Sequence, residues 1–181
     1  MAYLTFEKLK NLGGQPSQIT KAFSLNESFG QVPSTAKRVF LSYRRKDVNY
    51  VKPIVSLLKS LGVIVYIDYL DDNLPNPPDH TTASILRASL MKCQKFILLA
   101  TPNSNQSNWM PWELGLGDGF TGYDNTIIFP LVENEDIWSE REYYKIYGYV
   151  KEANGENLIK RDWAIFYPDK KPIWLKEWLK K

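Results

Sequence analysis

A glutamate beside two tryptophans is the most chemically suggestive feature of the 181-residue chain. Glu113 lies four residues after Trp109 and directly after Trp112. Helical spacing from Trp109 would place these three residues, together with Leu116, on one stripe of a helix. A carboxylate among apolar side chains has to be compensated, by a helix cap, by a paired arginine or by a cationic ligand. The spacing alone leaves these alternatives open.

Other polar residues follow segments that the sequence predicts as strands. Ser42, Tyr43 and Arg44 end the first segment, Asp68 ends the second, and Glu113 comes after the third. In an open parallel sheet, ligands bind outside the carboxyl ends of the strands, near the point where the strand order reverses. We therefore expect these residues to lie along one edge of a sheet, which we call the carboxyl edge.

The strands that would form this sheet are short, apolar and rich in β-branched and aromatic residues. Four are predicted, at Arg38 to Tyr43, Val63 to Asp68, Lys95 to Ala100 and Thr126 to Val132. Their continuous apolar character is typical of a sheet that is covered on both faces. Because helical segments alternate with them, the pattern indicates an α/β fold with right-handed crossovers.

Three helices are predicted between these strands. Asp47 is expected to cap the first helix, and Gly62 is expected to end it. Thr81 or Thr82 is expected to cap the second helix. The third helix, which begins at Trp109, is expected to be short because three glycines favour its termination, namely Gly115, Gly117 and Gly119.

The two ends of the chain give weaker signals. Residues 1–36 are predicted to be an extension or linker with a short helix at Leu4 to Leu12, and residues 37–181 to form the domain. The extension is either partly disordered or a contact for an oligomer or partner. Beyond Glu133 the pattern indicates only a strand near Trp163 to Tyr167 and a closing helix at Pro172 to Lys181.

Composition disfavours several classes of protein. The formal net charge of +3 is spread along the chain apart from a Lys-rich C-terminal end, so nucleic acid is not an expected partner. The single cysteine, Cys93, and the single histidine, His80, belong to no disulfide, metal or nucleophilic cluster, so no metal is expected. The apolar runs fall short of the roughly 20 residues of a membrane span, and Met1 to Lys10 lacks a signal-peptide profile. We expect a cytoplasmic protein that does not bind membranes.

Two segments resemble the signature motifs of Toll/interleukin-1 receptor (TIR) domains. Val39 to Asp47, read as Val-Phe-Leu-Ser-Tyr-Arg-Arg-Lys-Asp, is similar to their opening strand and the loop after it. Phe96 to Glu113 resembles their most telling motif, in which a serine, a tryptophan and, four residues later, a glutamate follow a strand. Val63 to Asp68 and the proline-bearing loop after it match the second strand and the BB loop.

This resemblance covers about residues 37 to 132. It implies a flavodoxin-like TIR domain with a central parallel sheet of about five strands, flanked by helices and preceded by the N-terminal extension. In TIR enzymes the matching glutamate is catalytic, so the resemblance implies that Glu113 acts in cleavage of NAD⁺, which is a substrate and not a cofactor. Further contacts with NAD⁺ are implied for Ser42, Tyr43, Arg44, Asp68, Leu74 in the BB loop, Trp109 and Trp112. Trp112 could either stack on nicotinamide or pack against the protein.

The chain resembles in particular the stand-alone bacterial TIR proteins of the Thoeris type, which make a nucleotide messenger in anti-phage defence. The resemblance implies an NAD⁺ glycohydrolase or ADP-ribosyl cyclase, homo-oligomers through TIR–TIR contacts, and a separate effector that reads the product. Two other hypotheses stay open. One is a non-catalytic TIR adaptor in which Glu113 is structural. The other is a flavodoxin-like phosphate binder, which the lack of a Ser/Thr-rich loop after the first strand disfavours.

Overall fold

Strands and helices alternate along most of the chain in a computed structural model that describes residues 2–12, 35–67, 79–134, 138, 140–154 and 161–181. The strands are β1 (Leu4–Thr5), β2 (Arg38–Ser42), β3 (Ile64–Ile67), β4 (Lys95–Ala100), β5 (Thr126–Val132), β6 (Gly148–Asn154), β7 (Arg161–Phe166) and β8 (Ile173–Trp174). The α-helices are α1 (Phe6–Leu12), α2 (Val48–Ser60), α3 (His80–Leu90), α4 (Trp109–Thr121) and α5 (Leu175–Lys180). Short 3₁₀ segments cover Arg45–Asp47, Pro102–Gln106, Tyr123–Asn125 and Glu142–Ile146.

The sheet has the doubly wound order that the resemblance to TIR domains implies. Its strands run β3-β2-β4-β5-β6-β7-β8, and every pair from β3 to β6 is parallel. Strands β7 and β8 continue the sheet in antiparallel fashion. The order of the five parallel strands is that of flavodoxin-like folds, in which the direction of winding reverses between the first strand and the third. In this chain the reversal lies between β2 and β4.

The sheet is covered on both faces, which explains the continuous apolar strands. Along β4, Ile97 and Leu99 join a cluster on one face, where α1, α2 and α5 pack. Phe96, Leu98 and Ala100 join a second cluster on the other face, where α3 and α4 pack. Because successive strand side chains point to opposite faces, a strand between two such layers needs an apolar residue at every position.

The N-terminal segment packs into the domain. Strand β1 pairs in parallel with β5, with Leu4 opposite Leu131, and Ala2 bridges to Glu152 on β6. Leu4 and Leu9 are 0% and 1% exposed and belong to the first core cluster. Most of the predicted linker, residues 13–34, lies outside the described residues, and the domain boundary at residue 36 stays a prediction.

The cap of α3 differs from the one predicted. Asp79 occupies the N-cap position, and its carboxylate accepts hydrogen bonds from the backbone N–H groups of Thr81 and Thr82 at 2.8 and 3.2 Å. The Thr82 hydroxyl in turn accepts from the Asp79 N–H at 3.3 Å, which completes a capping box. Because aspartate caps at least as well as threonine, the helix starts two to three residues earlier than predicted.

The prediction that three glycines terminate the third helix is wrong. Helix α4 continues through Gly115, Gly117 and Gly119 to Thr121, and its end is marked by Gly122 with φ +83°. A Cβ on Gly117 would lie 2.4 Å from the Phe96 ring, so this glycine permits a close approach of α4 to β4. Helix–sheet contact of this kind is a tertiary requirement, and local propensity cannot reveal it.

Candidate active site

Ser42 and Glu113 meet at the carboxyl edge. The Ser42 hydroxyl donates a hydrogen bond to Oε2 of Glu113, with 2.5 Å between the oxygens. Ser42 is the last residue of β2 and is 2% exposed, whereas Glu113 is half-buried in the first turns of α4. The two residues are 71 positions apart in sequence, and the reversal of strand order brings them together.

Helix α4 holds Glu113 in place through its buried face. Met110, Leu114 and Gly117, spaced by four and three residues, are the buried positions of the helix. The helix packs on β2, β4 and β5. Glu113 lies next to this face, and its side chain points toward β2, where it meets Ser42. The predicted stripe through Trp109, Trp112 and Leu116 is only partly buried, so it flanks the core-facing side of the helix.

The two tryptophans form the flank beside Glu113. Their ring centroids are 5.3 Å apart in an edge-to-face arrangement, and both rings are half-buried against the second core cluster. The guanidinium carbon of Arg87 on α3 lies 5.3 Å from the Trp112 ring centroid, so a cation covers this ring. The Trp112 ring therefore packs against its own protein, one of the two roles considered for it.

Of the remaining residues predicted for the site, two lie within the part of the chain that the structure describes and two lie outside it. Tyr43 is half-buried and packs against the first core cluster. Arg44 is half-buried, and its carbonyl accepts a hydrogen bond from the Asp47 N–H at 2.7 Å. Asp68 and Leu74 lie outside the described residues, so their part in the site stays a prediction.

Asp47 is a polar residue of this edge whose contacts the sequence did not reveal. It stands at the N-cap position of α2, as predicted, but its side chain makes no capping bond. Instead, Oδ2 accepts from the Thr101 hydroxyl and Oδ1 accepts from the Asn103 amide, each at 2.6 Å. Asp47 is fully buried. We call Asp47, Thr101 and Asn103 the Asp47 link, since it joins the loop after β2 to the loop after β4.

Part of this link could have been found from the sequence. Thr101, Pro102 and Ser104 have the spacing of a capping box with proline in the first turn. In the structure Thr101 and Ser104 form this box at the start of the 3₁₀ segment Pro102–Gln106. The direction of the Asp47 side chain has no comparable sequence signal, because it depends on the pairing of β2 with β4.

The described part of the site offers carboxylate and hydroxyl groups. Within the described ranges, no group of three or more His, Cys, Asp or Glu side chains could hold a metal ion. The buried Cys93 lies in the second core cluster, and burial raises the pKa of its thiol to about 12, so it is a packing residue and not a nucleophile. None of the helices described here has the length and apolarity needed to span a membrane.

The arrangement suits the stabilisation of positive charge. A single half-buried carboxylate, held by a serine hydroxyl and flanked by aromatic rings, can stabilise a cationic centre that develops beside it. Among the described residues, Glu113 is the carboxylate that bonds Ser42 here, whereas most glycosidases use a pair. One carboxylate is enough for bond cleavage in which the leaving group needs no proton.

Comparison with known proteins gives a family match and a named relative. A family model described as TIR domain matches residues 39–158, which is well over half of the chain. A relative from Bacillus cereus (strain MSX-D12) is 28% identical over 145 residues, covering 78% of this chain and 74% of the relative. Its name is "Probable 3' cyclic ADP-D-ribose synthase ThsB'".

Proposed function

Because this chain belongs to the TIR domain family, we propose that it cleaves the N-glycosidic bond of NAD⁺ with Glu113 as its catalytic carboxylate. The observation that carries the proposal is the hydrogen bond between Ser42 and Glu113 at the point where the sheet reverses its winding. This is where flavodoxin-like folds bind their ligands. The name of the Bacillus cereus relative supports the same chemistry.

The chemistry follows from the charge of the leaving group. Nicotinamide is a pyridinium in NAD⁺, so when the bond from C1′ of the ribose to the ring nitrogen breaks, both electrons go to nitrogen and nicotinamide leaves neutral. No general acid is required. The ribose becomes oxocarbenium-like, and the Glu113 carboxylate beside it would stabilise this charge. The Ser42 hydroxyl would hold the carboxylate in its productive orientation.

Two products are compatible with this mechanism. Water attacking C1′ gives ADP-ribose, whereas a hydroxyl of the same molecule gives a cyclic product that forms only if water is kept away. In both cases the attacking oxygen releases its proton to solvent. The relative is named as a synthase of the 3' cyclic isomer. We propose cyclisation for this chain, and with it a role in making a messenger for a separate effector in anti-phage signalling of the Thoeris type.

Mass spectrometry of the products tests the proposal. Purified protein is incubated with NAD⁺ at high protein concentration and with a crowding agent. These conditions favour the TIR–TIR contacts that we predict for the active protein. We expect NAD⁺ to disappear with release of nicotinamide and a product lighter than ADP-ribose by one water. If linear ADP-ribose is the only product besides nicotinamide, the proposed cleavage of NAD⁺ stands and the proposed cyclisation is overturned. Intact NAD⁺ under these conditions would overturn the enzymatic function in favour of an adaptor.

A further inference from the structure

The Asp47 link connects the two segments that carry Ser42 and Glu113. Asp47 lies five residues after Ser42. Its N–H donates to the Arg44 carbonyl, which makes a tight turn in the loop after β2. Its two carboxylate oxygens bind Thr101 and Asn103 from the other loop. All three residues lie at the carboxyl edge of the two neighbouring strands β2 and β4.

The link continues to the start of α4. The Thr101 hydroxyl accepts hydrogen bonds from the N–H groups of Asn103 and Ser104, at 3.1 and 3.2 Å, and so organises the 3₁₀ segment. Ser107 follows that segment as its C-cap, and its hydroxyl accepts from the Met110 N–H in the first turn of α4 at 3.3 Å. A chain of hydrogen bonds and short peptide segments thus runs from the end of β2 to the helix that carries Glu113, and the Ser42–Glu113 bond closes it.

We infer that Asp47 is a positioning residue for Glu113. This inference rests on the proposed function and adds to it a residue that touches neither Ser42 nor the substrate. The Asp47 carboxylate fixes the loop after β4, the loop fixes the first turn of α4, and the turn fixes the distance between Glu113 and Ser42. Since displacement of a reacting group by about 1 Å can cost 100-fold in rate, a loosened link should lower kcat in a protein that is still folded.

A reciprocal exchange across the link is the sharpest test. In Asn103→Asp two carboxylates face each other where an amide donated at 2.6 Å, so the link breaks. In the double variant Asp47→Asn with Asn103→Asp, the amide and the carboxylate have exchanged places and Thr101 still has an oxygen to donate to. We expect kcat to fall about 10-fold or more in Asn103→Asp and to return within about 3-fold of wild type in the double variant.

Two controls separate positioning from stability and charge. The rate is expressed per folded molecule, with folding followed by circular dichroism and thermal unfolding, and Asn103→Ala provides a milder break if Asn103→Asp does not fold. Asn49→Asp adds the same charge at an exposed position on α2 and should leave kcat unchanged. A wild-type kcat in folded Asn103→Asp and in folded Asn103→Ala, with only a lower melting temperature, would overturn the inference and leave the proposed function intact.

A measurement without turnover distinguishes failure of the inference from failure of the function. The carboxyl resonance of Glu113 is followed by ¹³C NMR against pH in wild type, Ser42→Ala and Asn103→Ala, with Glu113→Gln for assignment. We expect the titration midpoint in Asn103→Ala to move from the wild-type value toward that of Ser42→Ala. A midpoint that stays at the wild-type value would overturn positioning by the link, whether or not the protein consumes NAD⁺.

Discussion

At the scale of single residues, the bond between Ser42 and Glu113 makes a prediction that leaves the catalytic carboxylate in place. Ser42→Ala removes a hydrogen bond to a charged group, which contributes about 1.5–3 kcal/mol. If this bond acts in the transition state, kcat should fall roughly 10- to 100-fold in a variant that is still folded. The measurement is the rate of NAD⁺ loss at saturating substrate.

Ser60→Ala is the matched control for this variant. Ser60 is an exposed serine at the end of α2. Among the described residues, its hydroxyl donates only to the nearby Leu57 carbonyl, at 2.7 Å. Its removal should leave kcat unchanged. An equal kcat in Ser42→Ala and wild type would show that Glu113 does not depend on the serine.

The position of Ser42 and Glu113 at the carboxyl edge was predictable, but their contact was not. That Ser42 and Glu113 share an edge follows from the parallel direction of the strands, which apolar patterning and short connections indicate. That they touch depends on how deeply α4 seats on the sheet. Asp47 shows the same limit, since the sequence predicts its place before a helix but not the carboxylate bonds to Thr101 and Asn103.

At the scale of elements, the seating of α4 on β4 gives a second prediction. Gly117→Ala places a Cβ within 2.4–2.9 Å of the Phe96 ring, so the helix or the ring must shift. Overpacking of this kind costs about 1–3 kcal/mol, more than alanine gains from helix propensity. We expect a lower free energy of unfolding in chemical denaturation.

Gly115→Ala tests the cause of that effect. No atom outside its own helix lies within 4 Å of a Cβ at Gly115, so alanine should be neutral or stabilise by up to about 1 kcal/mol. Equal effects of the two substitutions would contradict the close approach of α4 to β4. Gly117 also explains why the prediction of an early helix end was wrong. This glycine permits close packing of α4 against Phe96 and does not terminate the helix.

Lys95, at the start of β4, gives a prediction about pH. It is 2% exposed, its Nζ donates to Asn125 at 2.6 Å, and the ammonium lies 4.5 Å from the Trp178 ring centroid on α5. Burial lowers the pKa of Lys95 from 10.5 to about 8, with Lys37 and Lys181 adding to the effect and Asp124 opposing it. The charged form is therefore disfavoured in the folded state.

The sign of the pH effect follows from proton linkage. Below about pH 8 Lys95 is protonated in both states, and the cost of burying its charge is fully present. Between about pH 8 and 10.5 the unfolded chain keeps the proton that the folded chain has lost, so stability rises. We expect the unfolding free energy of wild type minus that of Lys95→Met to rise over this window, with a slope of at most about 1.4 kcal/mol per pH unit. Parallel pH curves for the two proteins would contradict the burial of this charge.

At the scale of the whole molecule, residues 2–12 belong to the packed structure. Leu9→Ala removes a core side chain that is 1% exposed and should cost about 2–5 kcal/mol of stability. The neighbouring Lys10 is exposed, and Lys10→Ala should leave stability within about 0.5 kcal/mol of wild type. Similar melting temperatures for Leu9→Ala and wild type would mean that α1 does not contribute to the core.

The outer parts of the molecule show what sequence patterns leave undetermined. Four of the five parallel strands, β2 to β5, were predictable because each is a continuous apolar run between turn signals. The fifth, β6, was not predicted, because polar residues such as Lys151 and Glu152 interrupt its apolar pattern. Strand β1 has only two residues, too few for any periodicity, and joins the sheet through Leu131 and Val132 of β5. In the closing segment, Trp174 was expected in a helix but lies in β8, where it pairs with Ala164, and α5 begins one residue later.

The rate of NAD⁺ loss in Glu113→Gln is the most direct test of the proposed role of Glu113. This substitution keeps the size of the side chain and an oxygen for the Ser42 hydroxyl, but it removes the charge that would stabilise the oxocarbenium-like ribose. Glu177→Gln, an exposed glutamate on α5, is the matched control. We predict a loss of about 1,000-fold or more in folded Glu113→Gln and none in the control. Wild-type turnover by folded Glu113→Gln would contradict the assignment of Glu113 as the catalytic carboxylate.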